Sequence, residues 1–225
     1  MNIPVIVDAI RSPMARAKPD GALAELHPVD LLSQVLQQLM GRNAALDPGQ
    51  VDDVICGCVS QAGEQAGTPG RLAWLAAGLP MHVPSTTIDR KCGSSQQAVH
   101  FAAQAIMSGT QDIVIACGVE SMSRVPMGSS RMGKNTTGPR FDARFAPGLV
   151  GQGVSADLVA AQWGLSRAEL DAYAVRSHQR AHAAQSSGAF VREIVGIDTP
   201  AGRATADETI RASTTAEKLA GLKAV

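Results

Sequence analysis

The sequence predicts an α/β fold: a mixed, largely parallel sheet covered by helices, followed by a mostly helical region. Three observations lead there. As far as Val119, short β-branched runs alternate with stretches of helical spacing, the pattern of βαβ units. The runs are nearly continuous in apolar residues, as strands buried on both faces require. After Glu120 this pattern stops, and loop-like sequence leads into two helical stretches.

In chain order, strands are expected at residues 5–9, 54–59, 85–88 and 113–117, and helices at 28–40, 68–77 and 92–107. In the third helix Ala98, Ala102, Ala105 and Ile106 form a small-residue face that lets neighbours approach closely and implies burial at the centre of the domain. Residues 128–153 are rich in Gly, Ser, Asn, Arg and Pro and read as loop. Helices follow at 155–163 and 166–187. Ser166 and Glu169 are spaced as a capping box, and Gly188 marks a stop. Residues 190–197 read as a strand.

Composition narrows the function classes. With 45% hydrophobic residues, the 225-residue chain has enough apolar side chains for a core. Twenty basic and twenty acidic residues cancel, with no basic stripe, which argues against nucleic acid or an anionic membrane surface as partner. No apolar run approaches the ~20 residues of a membrane span, and Asp8 interrupts the first apolar stretch, so no secretory leader is read and a cytoplasmic location is expected. The four cysteines suit reduced thiols in a packed interior. Cys56 and Cys58 share one face of a strand, but no companion Cys or His pair completes a zinc site, so no metal is expected.

Asp89-Arg90-Lys91-Cys92-Gly93-Ser94-Ser95 carries the chemistry. It ends a β-branched run and opens an Ala-rich helix, with a cysteine at the turn. The unpaired N–H groups and partial positive charge of a helix N-terminus stabilise a thiolate there. The small residues at 93–95 let a substrate carbonyl approach those N–H groups, as an oxyanion needs. The competing reading is a buried small hydrophobe, the ordinary fate of an intracellular cysteine.

Around Cys92 the sequence resembles the thiolases, the acetyl-CoA acyltransferases. Before it stand Asp53-Val54-Ile55-Cys56-Gly57-Cys58-Val59, Gly63-Glu64-Gln65 and Arg71-Leu72-Ala73-Trp74-Leu75-Ala76-Ala77-Gly78-Leu79-Pro80. After it stand Gly109, Asp112-Ile113-Val114-Ile115-Ala116-Cys117-Gly118-Val119 and Glu120-Ser121-Met122-Ser123. The opening Pro4 to Pro13 resembles the family's first strand and loop, and Asp207 to Lys223 the end of its loop domain.

The resemblance implies a thiolase-like N-terminal domain divided into a βα core, residues 1–119, carrying the nucleophile, and a loop domain that covers coenzyme A, residues 120–225, incomplete at its end. It implies acyl transfer between coenzyme A thioesters through acyl-Cys92, in fatty-acid, lipid or sterol-type catabolism. Coenzyme A and acetyl-CoA are then substrates, with no permanently bound cofactor. Arg211 matches a position near the nucleotide; its alternative is a salt bridge with Asp207 or Glu208. The family's strand at 85–88 pairs subunits, implying a homodimer or homotetramer.

Departures from the family pattern are Asp89, where Asn is frequent, Ser95, where Gly is frequent, and Gly151-Gln152, where short-chain members often carry His-Met. The last pair points to a wider or more polar pocket and a bulkier 3-ketoacyl-CoA. Residues 151–156 also match Gly-x-Gly-x-x-Ala, but they follow loop sequence rather than a strand, which argues against a dinucleotide site.

The Gly-His-Pro and Cys-x-Gly motifs that supply the family's activating histidine and second cysteine are absent. His100 cannot replace them through its own helix, where it lies roughly 12 Å from Cys92 along the axis, and a packing role is expected. His178 and His182 are read as one exposed helix face. The expectation is therefore an N-terminal part without the C-terminal domain. Alternatives are a non-catalytic fragment or split-enzyme subunit that binds coenzyme A or a partner thiolase, and a ketoacyl-synthase-like enzyme, against which the 120–123 segment and the tail argue.

Overall fold

The computed structural model describes residues 2–223. They fall into two compact units, one comprising the residues up to Met132 with Val191–Thr209, the other Gly133–Phe190 with the residues from Ile210 onward.

The first unit contains α1 (Pro28–Arg42), β1 (Asp53–Gly57), α2 (Pro69–Ala76), β2 (Ser85–Ile88), α3 (Ser94–Ser108) and β3 (Val114–Gly118), then β4 (Ile197–Thr199) and β5 (Gly202–Ala204). The main sheet is parallel throughout, in the order β2-β1-β3. The antiparallel pair belongs to a separate hairpin, β4-β5. Local sequence sets the helix ends. Pro28 opens α1 behind His27, whose Nδ1 accepts from the Val29 N–H, and α3 stops at Gly109 with φ 75°.

Alternation along the strands builds two cores. Val54, Cys56 and Ile115 face α1 and α2, where Leu32, Leu36, Met40 and the fully buried Trp74 pack against them. The Trp74 indole N–H donates to the Pro80 carbonyl at 2.8 Å. Ile55, Val114 and Ala116 face the other way and meet Ala98 and Ala102 of α3. The expected small-residue face does dock on the sheet, but α3 is covered on that side only: Val99 and Phe101 are exposed.

Two expected strands are absent. Residues 5–9 form no strand pairing among the described residues, and Val5, Ile6 and Val7 are exposed, the segment being held instead through the Asp8 carboxylate, which accepts from Arg42 at 2.9 Å and Asn43 at 3.1 Å; β-propensity without a neighbouring edge makes no ladder. The N-terminal segment forms a bridge at Arg11, whose N–H donates to the Glu193 carbonyl at 2.8 Å and whose carbonyl accepts from Val195 at 2.9 Å. Residues 190–197 are mostly turn, touching a sheet at that bridge and at the start of β4.

The second unit contains α4 (Pro139–Arg144), α5 (Gln152–Gln162), α6 (Arg167–Ser186) and α7 (Ala216–Ala220). The capping box is present: the Ser166 hydroxyl caps Glu169, whose carboxylate accepts the Ser166 N–H at 2.8 Å. α7 packs on α6, where the Arg167 guanidinium donates to the carbonyls of Leu219 and Leu222. Within the segment read as loop, residues 139–144 form a helical turn after Pro139.

Candidate active site

The parallel strands carry their C-terminal ends to one edge of the first unit, the edge where open α/β sheets place ligands. Cys92 lies there. It is exposed and precedes the N-cap Gly93 of α3 by one residue. A tight turn holds it. Gly93 N–H donates to the Arg90 carbonyl at 3.1 Å and Ser94 N–H to the Lys91 carbonyl at 3.0 Å. The buried Ser94 hydroxyl donates to that same Lys91 carbonyl at 2.6 Å and accepts from Arg90 N–H at 2.9 Å, stapling both sides of the cysteine.

Lys91 adopts φ 50°, a left-handed conformation unusual for a side chain with a Cβ. Asp89 supports it, its carboxylate accepting the Lys91 N–H at 2.7 Å and the Lys91 ammonium at 2.6 Å. The Lys91 contacts hold the Asp89 carboxyl below its ordinary range.

The other thiols stand in different surroundings. Cys56 and Cys58 are buried and Cys117 is partly buried. Burial, reinforced by Glu120, pushes the Cys58 thiol up to about 12. Hydrogen bonding to the thiol of Cys56, its register partner on β1, pushes Cys117 up, and burial adds to this. Both effects favour the inert thiol form.

In sequence Gln65 and Glu120 stand out only within the segments that resemble the thiolases. They form a polar knot at the same edge. The Glu120 carboxylate accepts the N–H groups of Val59 at 2.7 Å and Ser60 at 3.2 Å and the Gln65 amide at 3.2 Å. The fully buried Gln65 in turn donates to the Ser60 carbonyl at 2.9 Å and accepts from Ser121 N–H at 2.6 Å. The loops after β1 and β3 are thereby tied together. A lone acid straight after an apolar strand was the available signal.

Arg211 lies in the second unit, its backbone N–H donating to Nδ1 of His178 on α6 at 3.2 Å. The two carboxylates considered as its partners are engaged elsewhere: Asp207 pairs with Arg11 at 2.7 Å and Glu208 with Arg16 at 3.7 Å. His182 is exposed and His178 only partly so. His100 is exposed on the uncovered side of α3, which corrects the packing role expected for it: the helix is covered on one face only. Among the described residues no group of three His, Cys, Asp or Glu side chains could hold a metal, and no helix is long and apolar enough to cross a membrane.

Comparison with known proteins adds the context. A family model described as the N-terminal domain of thiolase matches residues 4–225. The steroid 3-ketoacyl-CoA thiolase of Mycobacterium tuberculosis is 45% identical over 97% of this chain and 54% of its own length. The 3-ketoacyl-CoA thiolase of Pseudoalteromonas translucida is 42% identical over 100% and 58%, and a beta-ketoadipyl-CoA thiolase of Acinetobacter baylyi 42% over 98% and 59%. The chain spans about half the length of the curated relatives it matches.

Proposed function

The chain belongs to the thiolase family, matching its N-terminal domain, and on that premise we propose that Cys92 is the thiol that carries the acyl group in cleavage or formation of a 3-ketoacyl-CoA. The observation that carries this reading is the contrast among the thiols: Cys92 alone is exposed, and it stands at a helix N-terminus. In the cleavage direction the Cys92 thiolate adds to the 3-keto carbon. The C2–C3 bond then breaks, its electron pair leaving on the enolate of acetyl-CoA, which takes up a proton. Coenzyme A displaces the acyl group from Cys92 as a new thioester and frees the thiolate. Thiolate attack suits thioester exchange because entering and leaving sulfurs are alike. The first turn of α3 contributes N–H groups and partial positive charge beside the reacting sulfur.

The histidine that activates the thiol and the second cysteine that moves the substrate proton are, in this reading, supplied from outside these residues. Arg211 is assigned to the phosphates of coenzyme A, where a guanidinium matches the anion. A homodimer or homotetramer and a cytoplasmic location complete the proposal.

For the acyl group we propose a bulky, ring-bearing 3-ketoacyl chain. The steroid thiolase among the relatives supports this, as does Gly151-Gln152 in place of larger side chains. In the second unit Gln152, Ser155, Ala156, Val159, Leu165 and Leu170 line a groove of about 430 Å³, mostly apolar. The test is thiolysis by the intact enzyme with ring-bearing, straight-chain and dicarboxylic 3-ketoacyl-CoA substrates, beside a Cys92→Ser variant. Preference for the ring-bearing substrate and collapse of turnover in the variant are expected. Near-parent turnover by Cys92→Ser overturns the nucleophile, and preference for the dicarboxylic substrate overturns the acyl assignment alone.

A further inference from the structure

Gly57 and Gly118 occupy paired register positions at the C-terminal ends of β1 and β3. Alternation places both on the face that carries Ile55, Val114 and Ala116, the face covered by α3. Side chains on that face shrink along β3 from Val114 through Ala116 to Gly118. This taper leaves room for the N-terminus of the helix, beside Cys92, to approach the sheet closely.

The space is fully used. A Cβ on Gly57 would lie 2.4 Å from the Ser95 nitrogen, 2.5 Å from the Ser94 carbonyl carbon and 2.7 Å from the Ser95 Cα, all backbone atoms. A Cβ on Gly118 would lie 1.8 Å from the Ser95 Oγ and 3.0 Å from both the Ser95 Cβ and the Gly57 carbonyl oxygen. Gly57 thus seats the backbone of α3, while Gly118 mainly accommodates the Ser95 side chain.

The seat reaches Cys92 through Ser94, whose hydroxyl staples Arg90 N–H and the Lys91 carbonyl. The far side of the turn is anchored independently: β2 pairs with β1, and Cys58 N–H donates to the Ile88 carbonyl at 3.1 Å. A lift of the α3 N-terminus therefore shears the turn against its anchored β2 side.

We infer that Gly57, Gly118 and Ser94 are positioning residues for Cys92, and that Ser95 is tolerated at its position because residue 118 has no side chain. The inference rests on the reading of Cys92 as the reactive thiol, and it adds what sets that thiol's place.

The test is the rate of Cys92 carbamidomethylation by iodoacetamide in the 225-residue chain, followed by peptide mass mapping, with thermal unfolding recorded for each variant. Gly118→Ala slows Cys92 labelling by about fivefold, the weight of a helix N-terminus on a nearby anion. Adding Ser95→Gly restores most of the rate, because it removes the side chain that collides and leaves the 3.0 Å approach to the Gly57 carbonyl. Gly57→Ala is not rescued by Ser95→Gly, since its collisions are with backbone. Ser94→Ala, which adds no bulk, slows labelling while the chain stays folded, so the inference remains testable if an alanine at 57 or 118 prevents folding.

Parent-like labelling of folded Gly118→Ala or Ser94→Ala overturns the inference, as does a Gly118→Ala/Ser95→Gly double variant no faster than Gly118→Ala. Failure of Cys92 to label in the parent overturns the underlying reading and the inference with it. Normal parent labelling with indifferent variants overturns the inference alone.

Discussion

α3 and α6 are the helices that carry the two candidate site regions, and they are held in opposite ways. α3 has 15 residues, no side-chain cap at its N-terminus, and a face, Ser94, Gln97, Ala98 and Ala102, buried on the sheet. α6 has 20 residues, none of them buried, and rests on local devices: the Ser166–Glu169 capping box and the Arg167–Asp171 ion pair at 2.9 Å. Isolated helices shorter than about 12–15 residues are marginal in water, and α3, near that limit and without a side-chain cap, leans on the sheet, whereas α6 combines local supports with the contact of α7. A nucleophile must be fixed relative to other elements, and Cys92 stands at the end of the helix whose position is set by packing.

Emptying the core beneath the sheet should separate the two helices most. Trp74→Ala removes the largest fully buried side chain and is expected to cost about 3–5 kcal/mol. Thermal unfolding should shift down accordingly, with Cys92 losing its preferential labelling, while hydrogen exchange in α6 stays near parent values.

A smaller effect is expected from the clasp between Arg11 and Asp207. That carboxylate accepts the guanidinium at 2.7 Å and Met14 N–H at 2.8 Å, and Arg11 holds it below the ordinary carboxylate range. Its contribution is complete above the unfolded value of ~3.9 and is lost as pH falls through the lower folded value. Asp207→Asn should lower stability at neutral pH by about 1–2 kcal/mol, and the difference from parent should shrink in acid. Urea unfolding at pH 7 and below pH 4 reads both arms.

The smallest and most local change is Ser166→Ala. Loss of the cap should cost about 1 kcal/mol, confined to α6. Faster hydrogen exchange in the first turns of α6, with Cys92 labelling unchanged, checks this.

Legibility in the sequence follows the same division. Elements with local signals were readable: α1 behind Pro28, α6 with its capping box, and the largely apolar runs of β1 and β3, whereas β2, Ser85-Thr86-Thr87-Ile88, departs from the expected apolar run and is only partly buried. What depends on a distant neighbour was not. Residues 5–9 have strand composition and no edge to pair with among the described residues. Residues 190–197 reach a sheet only at a bridge and at the start of β4. At the site, Cys92 could be placed because a strand-to-helix turn is visible in sequence. The Gly57–Gly118 seat and the Gln65–Glu120 knot join positions roughly 55–61 residues apart, which only the register of β1 against β3 brings together.

In the proposed reading, packing of α3 on the sheet presents Cys92, alone among four cysteines, as the reactive thiol. Brief iodoacetamide treatment of the folded chain, quenched and mapped by peptide mass, tests it most directly. Modification of Cys92 is predicted to precede that of Cys56, Cys58 and Cys117, which should label only once the chain is unfolded. Equal or earlier labelling of any of those three in the folded protein would contradict the account.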